Sequence, residues 1–170
     1  VQDHDIDVES QDRERGFTLI ELMVVVLIIA ILIAIAIPTF LGARGAAQDR
    51  AAQSNLRTAL SAQNLYYVNF RTYANPSVTT ELDTLRRYEP ALQYLTGASP
   101  AVTLTGPGQP EVWVSVAGST LIMAAQATES VCFYLRNDPD PASTTPGQSW
   151  GSSDCTTAPA TWTAQPPTSS

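Results

Sequence analysis

The sequence predicts an α+β protein: a long N-terminal helix, membrane-crossing in its first half, packed through its second half on a small antiparallel β-sheet. Three observations lead there. Residues 22 to 37, LMVVVLIIAILIAIAI, are sixteen consecutive apolar residues. The stretch after them, ARGAAQDRAAQSNLRTALSAQNLYYVNF, is rich in the helix formers Ala, Gln, Leu and Arg. Further on, EVWVSV, TLIMAAQA and SVCFYLR are short, apolar and bounded by turn residues.

From Phe17 to Leu41 the mostly apolar stretch covers 25 residues, with Glu21 its only charge. As a helix it would run about 37 Å, enough for a ~30 Å hydrocarbon core with some tilt. Small residues between Pro38 and Ala43 leave a cleaved secretory signal as the alternative, although the apolar core of such a signal is usually only about 7 to 15 residues. Arg13 and Arg15 lie before the span and Arg44, Arg50 and Arg57 after it, so positive charge alone does not set its orientation. The cysteine pair and the polar, Pro-rich C-terminal part favour N-terminus in, C-terminus out.

Residues 42–70 continue the helix, with Leu56, Ala59, Leu60, Tyr67 and Phe70 near one face and Gln63 where an apolar residue is expected. Unbroken from Phe17 to Phe70, the helix would measure about 80 Å. Pro38, Gly42 and Gly45 are its weak points, because Pro lacks a backbone donor and Gly has poor helix propensity. Tyr66, Tyr67, Phe70 and Tyr73 read as core beneath a sheet in preference to an electron-carrying stripe.

Residues 71–100 form a connecting region with a short helix in TTELDTLRRYEPAL, Thr80 as its cap and Pro90 as its stop. Residues 101–156 hold the sheet, with three or four antiparallel strands. EVWVSV and TLIMAAQA form a hairpin through Ala117-Gly118-Ser119, and Val112, Val114 and Val116 alternate with Trp113 and Ser115. Cys132 and Cys155 bound a segment rich in Pro, Ser, Gly and Asp, placed at the sheet's edge. In an extracytoplasmic compartment they pair, contributing about 3 kcal/mol; two separate buried thiols are the alternative. Asn137, Asp138 and Asp140 read as a turn and not a calcium site, since no further acid stands at the required spacing. Residues 157–170 have the composition of a flexible tail.

Composition removes most chemistry. All nine basic residues are Arg, so a Walker-type phosphate loop and a Schiff-base lysine are both excluded. The single His is His4, and beyond residue 16 no Ser-His, Cys-His or His-containing metal site can be built. The acids Glu81, Asp83, Glu89, Glu111 and Glu129 are scattered without an established pairing. The sequence is therefore read as non-enzymatic, with no cofactor and no metal. Of the formal charge of -7, residues 1 to 16 hold -4, from six acids against Arg13 and Arg15, and the remaining -3 argues against a basic nucleic-acid footprint over the whole domain, with a local Arg patch as the alternative.

Glu21 is the anomaly. A charge at the bilayer centre costs about 2.5 to 3.5 kcal/mol on insertion scales, less near a helix end. On position alone, a tolerated interfacial charge and a carboxylate awaiting a positive partner stand equal.

Gly16, Phe17, Thr18, Leu19, Ile20 and Glu21, followed by the apolar helix and Pro38, resemble the class III leader and N-terminal segment of type IV pilins, over residues 13 to about 60. The resemblance implies that residues 1–16 are a leader. A prepilin peptidase would cut between Gly16 and Phe17 and N-methylate Phe17. Glu21 would pair with the Phe17 amine of an adjacent subunit, and the segment leading to Pro38 would loosen within the filament. Two features depart from the family pattern: the leader is acidic, although Arg13 and Arg15 are retained, and the first residue is Val1, which a GTG start or a trimmed fragment accounts for. The function implied is a pilus subunit that sits in the cytoplasmic (inner) membrane, head outside, and then polymerises with copies of itself into a cell-surface filament for adhesion, motility or DNA uptake. The assembly platform with its ATPase and the minor pilins would be its other partners. A pseudopilin of a type II secretion system shares the same N-terminus, and a membrane-anchored binding module is the alternative from another class.

Overall fold

The computed structural model describes residues 17–97 and 99–167. The leader, with Gly16 and His4, lies outside them. The chain divides into two compact units between Phe40 and Leu41.

The first unit is helix. A single helix, α1, runs Leu19–Phe70, and its part up to Phe40 makes up this unit. Every large apolar side chain from Phe17 to Leu41 is at least 48% exposed. The most apolar 18-residue window has a mean hydropathy of 3.3 with none of it buried within the chain. A helix apolar on all sides is covered by lipid or by other helices, not by a soluble core. Pro38 sits inside α1, and helical geometry persists through Pro38, Gly42 and Gly45, the expected weak points. Thr39 accompanies the proline: its hydroxyl donates to the carbonyls of Ala36 at 2.8 Å and Ile35 at 3.3 Å, next to the place where Pro38 removes a donor.

The second unit is the head. Its part of α1 buries Ala52, Leu56, Ala59, Leu60, Ala62, Gln63 and Tyr66, a three-to-four-residue stripe. This moves the expected face slightly: Tyr67 is half-buried and Phe70 is exposed, whereas Tyr66 and Tyr73 join the core. Gln63 belongs on that face after all. Its amide donates to the Ala74 carbonyl and accepts from the Ala74 N–H, both at 2.9 Å, so a buried backbone segment is satisfied by one side chain. Arg71, at φ 60°, ends the helix in the left-handed conformation.

A second helix, α2, spans Thr79–Tyr88. Thr80 is not its cap. Val78 occupies the N-cap position without a side-chain bond, because the preceding Asn75-Pro76-Ser77-Val78 turn already sets the entry: Val78 N–H donates to the Asn75 carbonyl and Ser77 N–H to Asn75 Oδ1. Glu89 caps the far end ahead of Pro90, as the stop signal requires. A short helix, α3, covers Pro100–Thr103.

The sheet has five strands in the order β1 (Gln93–Leu95), β2 (Glu111–Ala117), β3 (Thr120–Thr128), β4 (Val131–Asp138) and β5 (Gly147–Ser153). β1 pairs parallel with β2, and the remaining neighbours are antiparallel. Two of the five escape the sequence reading. β1 is too short to show a period of two, and β5 lies in the Gly- and Ser-rich segment between the cysteines, where composition argues for a loop. The hairpin turns through Gly118 (φ 61°) and Ser119, with Ala117 opposite Thr120.

Both faces of the sheet are covered. Val112, Val114, Leu121, Met123, Phe133, Leu135 and Trp150 share one core with the α1 stripe. Trp113, Ala124, Cys132, Tyr134 and Cys155 form a second core on the opposite face, where Leu104, Ile122 and Trp162 pack. Trp162 comes from the segment expected to be a loose tail. That segment is held down: Thr163 exchanges two 2.6 Å backbone hydrogen bonds with Trp150 on the β5 edge, and the Gln53 amide donates to the Pro167 carbonyl at 2.9 Å.

Candidate assembly site at the start of α1

The residues around the helix start form a small closed arrangement. Thr18 stands just before α1 and Glu21 three residues on. The Thr18 hydroxyl accepts from Glu21 N–H at 3.3 Å and donates to Glu21 Oε2 at 3.2 Å, while Thr18 N–H reaches the same Oε2 at 3.4 Å. This is a capping box: side chain and backbone of two residues satisfy each other's otherwise orphaned N–H groups. A carboxylate in the first turn also meets the positive end of the helix dipole. Glu21 therefore has an intrachain role in addition to any partner it meets in an assembly. Its sequence signature is Thr-x-x-Glu ahead of an apolar run, a pattern that takes on meaning once the helix begins at Leu19.

Phe17 is 89% exposed and lies next to this box. Glu21 Oε1 has no hydrogen bond among the described residues. One oxygen of the carboxylate thus fastens the helix start and the other faces outward, at the rim of a helix whose whole girth is apolar. Such a site can take a cation at low dielectric without dismantling the cap. Pro38 is not part of it, standing 17 residues further along, about 26 Å as a helix.

The other candidate residues fall into structural roles in the head. Cys132 and Cys155 are joined by a disulfide, with Cα atoms 5.0 Å apart, fastening the end of β5 to β4. Asp138 accepts from the hydroxyls of Ser119 and Thr120 and the N–H of Asp140, and Asp140 accepts from Ala142 N–H, as a turn demands. Asn137 instead donates to the Tyr73 hydroxyl at 2.7 Å. The Ser143 hydroxyl first, then the Asp140 amide and the other hydroxyls, hold Asp138 below its usual range, against an opposing effect of burial. Glu111 is buried and accepts from Thr105 N–H at 2.7 Å and its hydroxyl at 2.8 Å. Glu81 accepts from Asn75 N–H, and Asp83 makes an exposed pair with Arg86 at 3.9 Å. No group of three or more metal-ligating residues occurs among the described residues.

The family model described as the prokaryotic N-terminal methylation motif matches residues 11–37. No curated protein and no solved structure matches the chain. The match begins ahead of the capping box and ends just before Pro38, and the rest of the chain adds a long helix on an antiparallel-dominated sheet, a pilin-like α+β layout. The chain carries, at its residues 11–37, the prokaryotic N-terminal methylation motif of type IV pilin-like proteins.

Proposed function

We propose that this chain is the structural subunit of a type IV pilus. Prepilin peptidase hydrolyses the Gly16–Phe17 bond and methylates the freed Phe17 amine. The mature subunit waits in the cytoplasmic membrane with its head outside, and then polymerises through α1 into a surface filament for adhesion, motility or DNA uptake. The assembly platform and its ATPase drive the transfer, and minor pilins accompany the main subunit. The chain acts as a building element, with no enzymatic role.

The observation that carries this reading is Glu21, held in the first turn of the exposed apolar part of α1 within the methylation motif. Lipid is as apolar as the helix, so moving α1 from membrane to filament gains little hydrophobic energy, and packing with polar pairing must set the register. A carboxylate meeting a neighbour's Phe17 amine supplies attraction and an axial stop together. A plain membrane anchor has no need of either.

A pseudopilin of a type II secretion system is the second reading, and the disulfide-fastened C-terminal part of the head favours the pilus. The test is electron microscopy of sheared surface filaments, with identification of their subunits by mass spectrometry. Long filaments built mainly of this chain are expected. Cells that express the chain but shear off no filament containing it would overturn the pilus reading.

A further inference from the structure

The head carries a groove that its own chain leaves open. Thr58, Ser61, Ala62 and Leu65 of α1, with Tyr88 and Glu89 at the end of α2, line a trough of about 240 Å³. Leu65 is 48% exposed, and Val68 one turn on is 69% exposed, so an apolar edge borders the trough. The Asn69 amide donates to the Tyr88 hydroxyl at 3.2 Å and fixes that wall. At the rim Glu89 spends one oxygen on Ala91 N–H at 3.2 Å, and its second oxygen has no hydrogen bond among the described residues.

A stretch that could fill such a trough lies on the same chain. Residues 42–47, Gly-Ala-Arg-Gly-Ala-Ala, come after the apolar run and before Asp49, the first buried residue of α1. They are exposed or half-exposed, and a Cβ added at Gly42 or Gly45 would meet nothing within 4 Å. Small residues let two helices approach closely. Arg44, in the middle, makes no hydrogen bond or ion pair among the described residues.

We propose that the α1–α2 groove receives residues 42–47 of a second copy, with Arg44 of that copy meeting the open oxygen of Glu89. The inference rests on the filament reading above. Charge selects this occupant: Glu89 keeps one carboxylate oxygen open at the rim, and residues 42–47 carry one cation, Arg44, among small residues that let backbones approach closely. A guanidinium on a carboxylate at an interface rim fixes register more than it adds affinity.

Reciprocal charge exchange tests it in cells making the full chain. Arg44→Glu and Glu89→Arg should each lower sheared filaments roughly tenfold while leaving the membrane pool unchanged, since like charges across an interface cost more than the 1.4 kcal/mol of a tenfold step. The double exchange should return filaments to within about twofold of the parent, because the pair is restored with reversed sign. As a second readout independent of charge, Ala47→Cys combined with Ser61→Cys should give disulfide-linked oligomers in filaments of otherwise parental yield. Singles that assemble like the parent, a double no better than the singles, or no crosslink in intact filaments would each overturn the contact. Loss of membrane retention in Arg44→Glu without loss of filaments would assign Arg44 to lipid headgroups and also overturn it. A parent that makes no filaments would remove the filament reading, and this inference with it.

Discussion

Glu21 closes the capping box and is proposed to pair with a neighbour's amine, and different substitutions separate the two roles. Glu21→Gln keeps an acceptor for the Thr18 groups and so keeps the capping box, but removes the charge. Glu21→Ala removes both, and Glu21→Asp keeps the charge and shortens its reach. If the carboxylate pairs with a neighbour's amine, Gln and Ala should both abolish filaments while membrane insertion is normal or improved, since breaking such a pair strands an amine at about 3 to 5 kcal/mol. Asp should be partly defective. Comparison of membrane-pool and sheared-filament amounts reads this directly, and full filaments from Glu21→Gln would leave the residue a helix cap alone. Asp138 offers a second residue-scale test. Its carboxyl is held below the ordinary aspartate value of 3.8, so the stability it contributes is present above that value and lost as pH falls below it. Asp138→Asn in the purified subunit should lower Tm at neutral pH and make the acid side of the Tm–pH curve shallower; a curve parallel to the parent's would deny Asp138 this role.

At the scale of elements, the C-terminal segment repairs the sheet edge that β5 would leave open. Thr163 pairs with Trp150, and Trp162 lies on the opposite face with the Arg136 guanidinium 4.9 Å from its ring centre. Gly151 is required beneath it, because a Cβ there would come 2.4 Å from Pro159 Cγ. Trp162→Ala should cost about 1 to 3 kcal/mol through lost burial and cation–π contact, seen as a lower Tm of the purified subunit. Cys155→Ser should cost ~2 to 5 kcal/mol and lower subunit abundance, and free thiols at both positions in non-reducing peptide mapping would remove the basis for that expectation. These are also the elements that the sequence showed least clearly. α1, α2 and the β2–β3 hairpin are legible because period, length and turn residues agree. β5, GQSWGSS, has one large apolar residue in seven, and its strand state comes from pairing with β4 and from the disulfide beside it. The tail reads as loose for the same reason: its Pro, Ser and Thr hide one Trp and one Thr that find partners only in the folded head.

At the scale of the whole molecule, the division is between a unit whose described residues are all exposed and a head that closes both faces of its sheet. The first was legible from length and composition, because 25 mostly apolar residues from Phe17 to Leu41 with Glu21 their only charge reach membrane-crossing length. Glu21 stands out in the sequence as a lone charge, whereas its capping box with Thr18 takes on meaning once the helix is known to begin at Leu19. Gln63 shows the opposite limit: its position on the buried face was readable, and its partner, the Ala74 backbone eleven residues on, was not. The central claim is that the first unit is exposed by cutting at Gly16–Phe17 and is then used for polymerisation. Intact-mass analysis of the subunit from sheared filaments tests it most directly. The account predicts a chain that starts at Phe17, bears one added methyl group on its amine and retains the whole of α1. A chain starting near Ala43, as after an ordinary secretory signal, would contradict it.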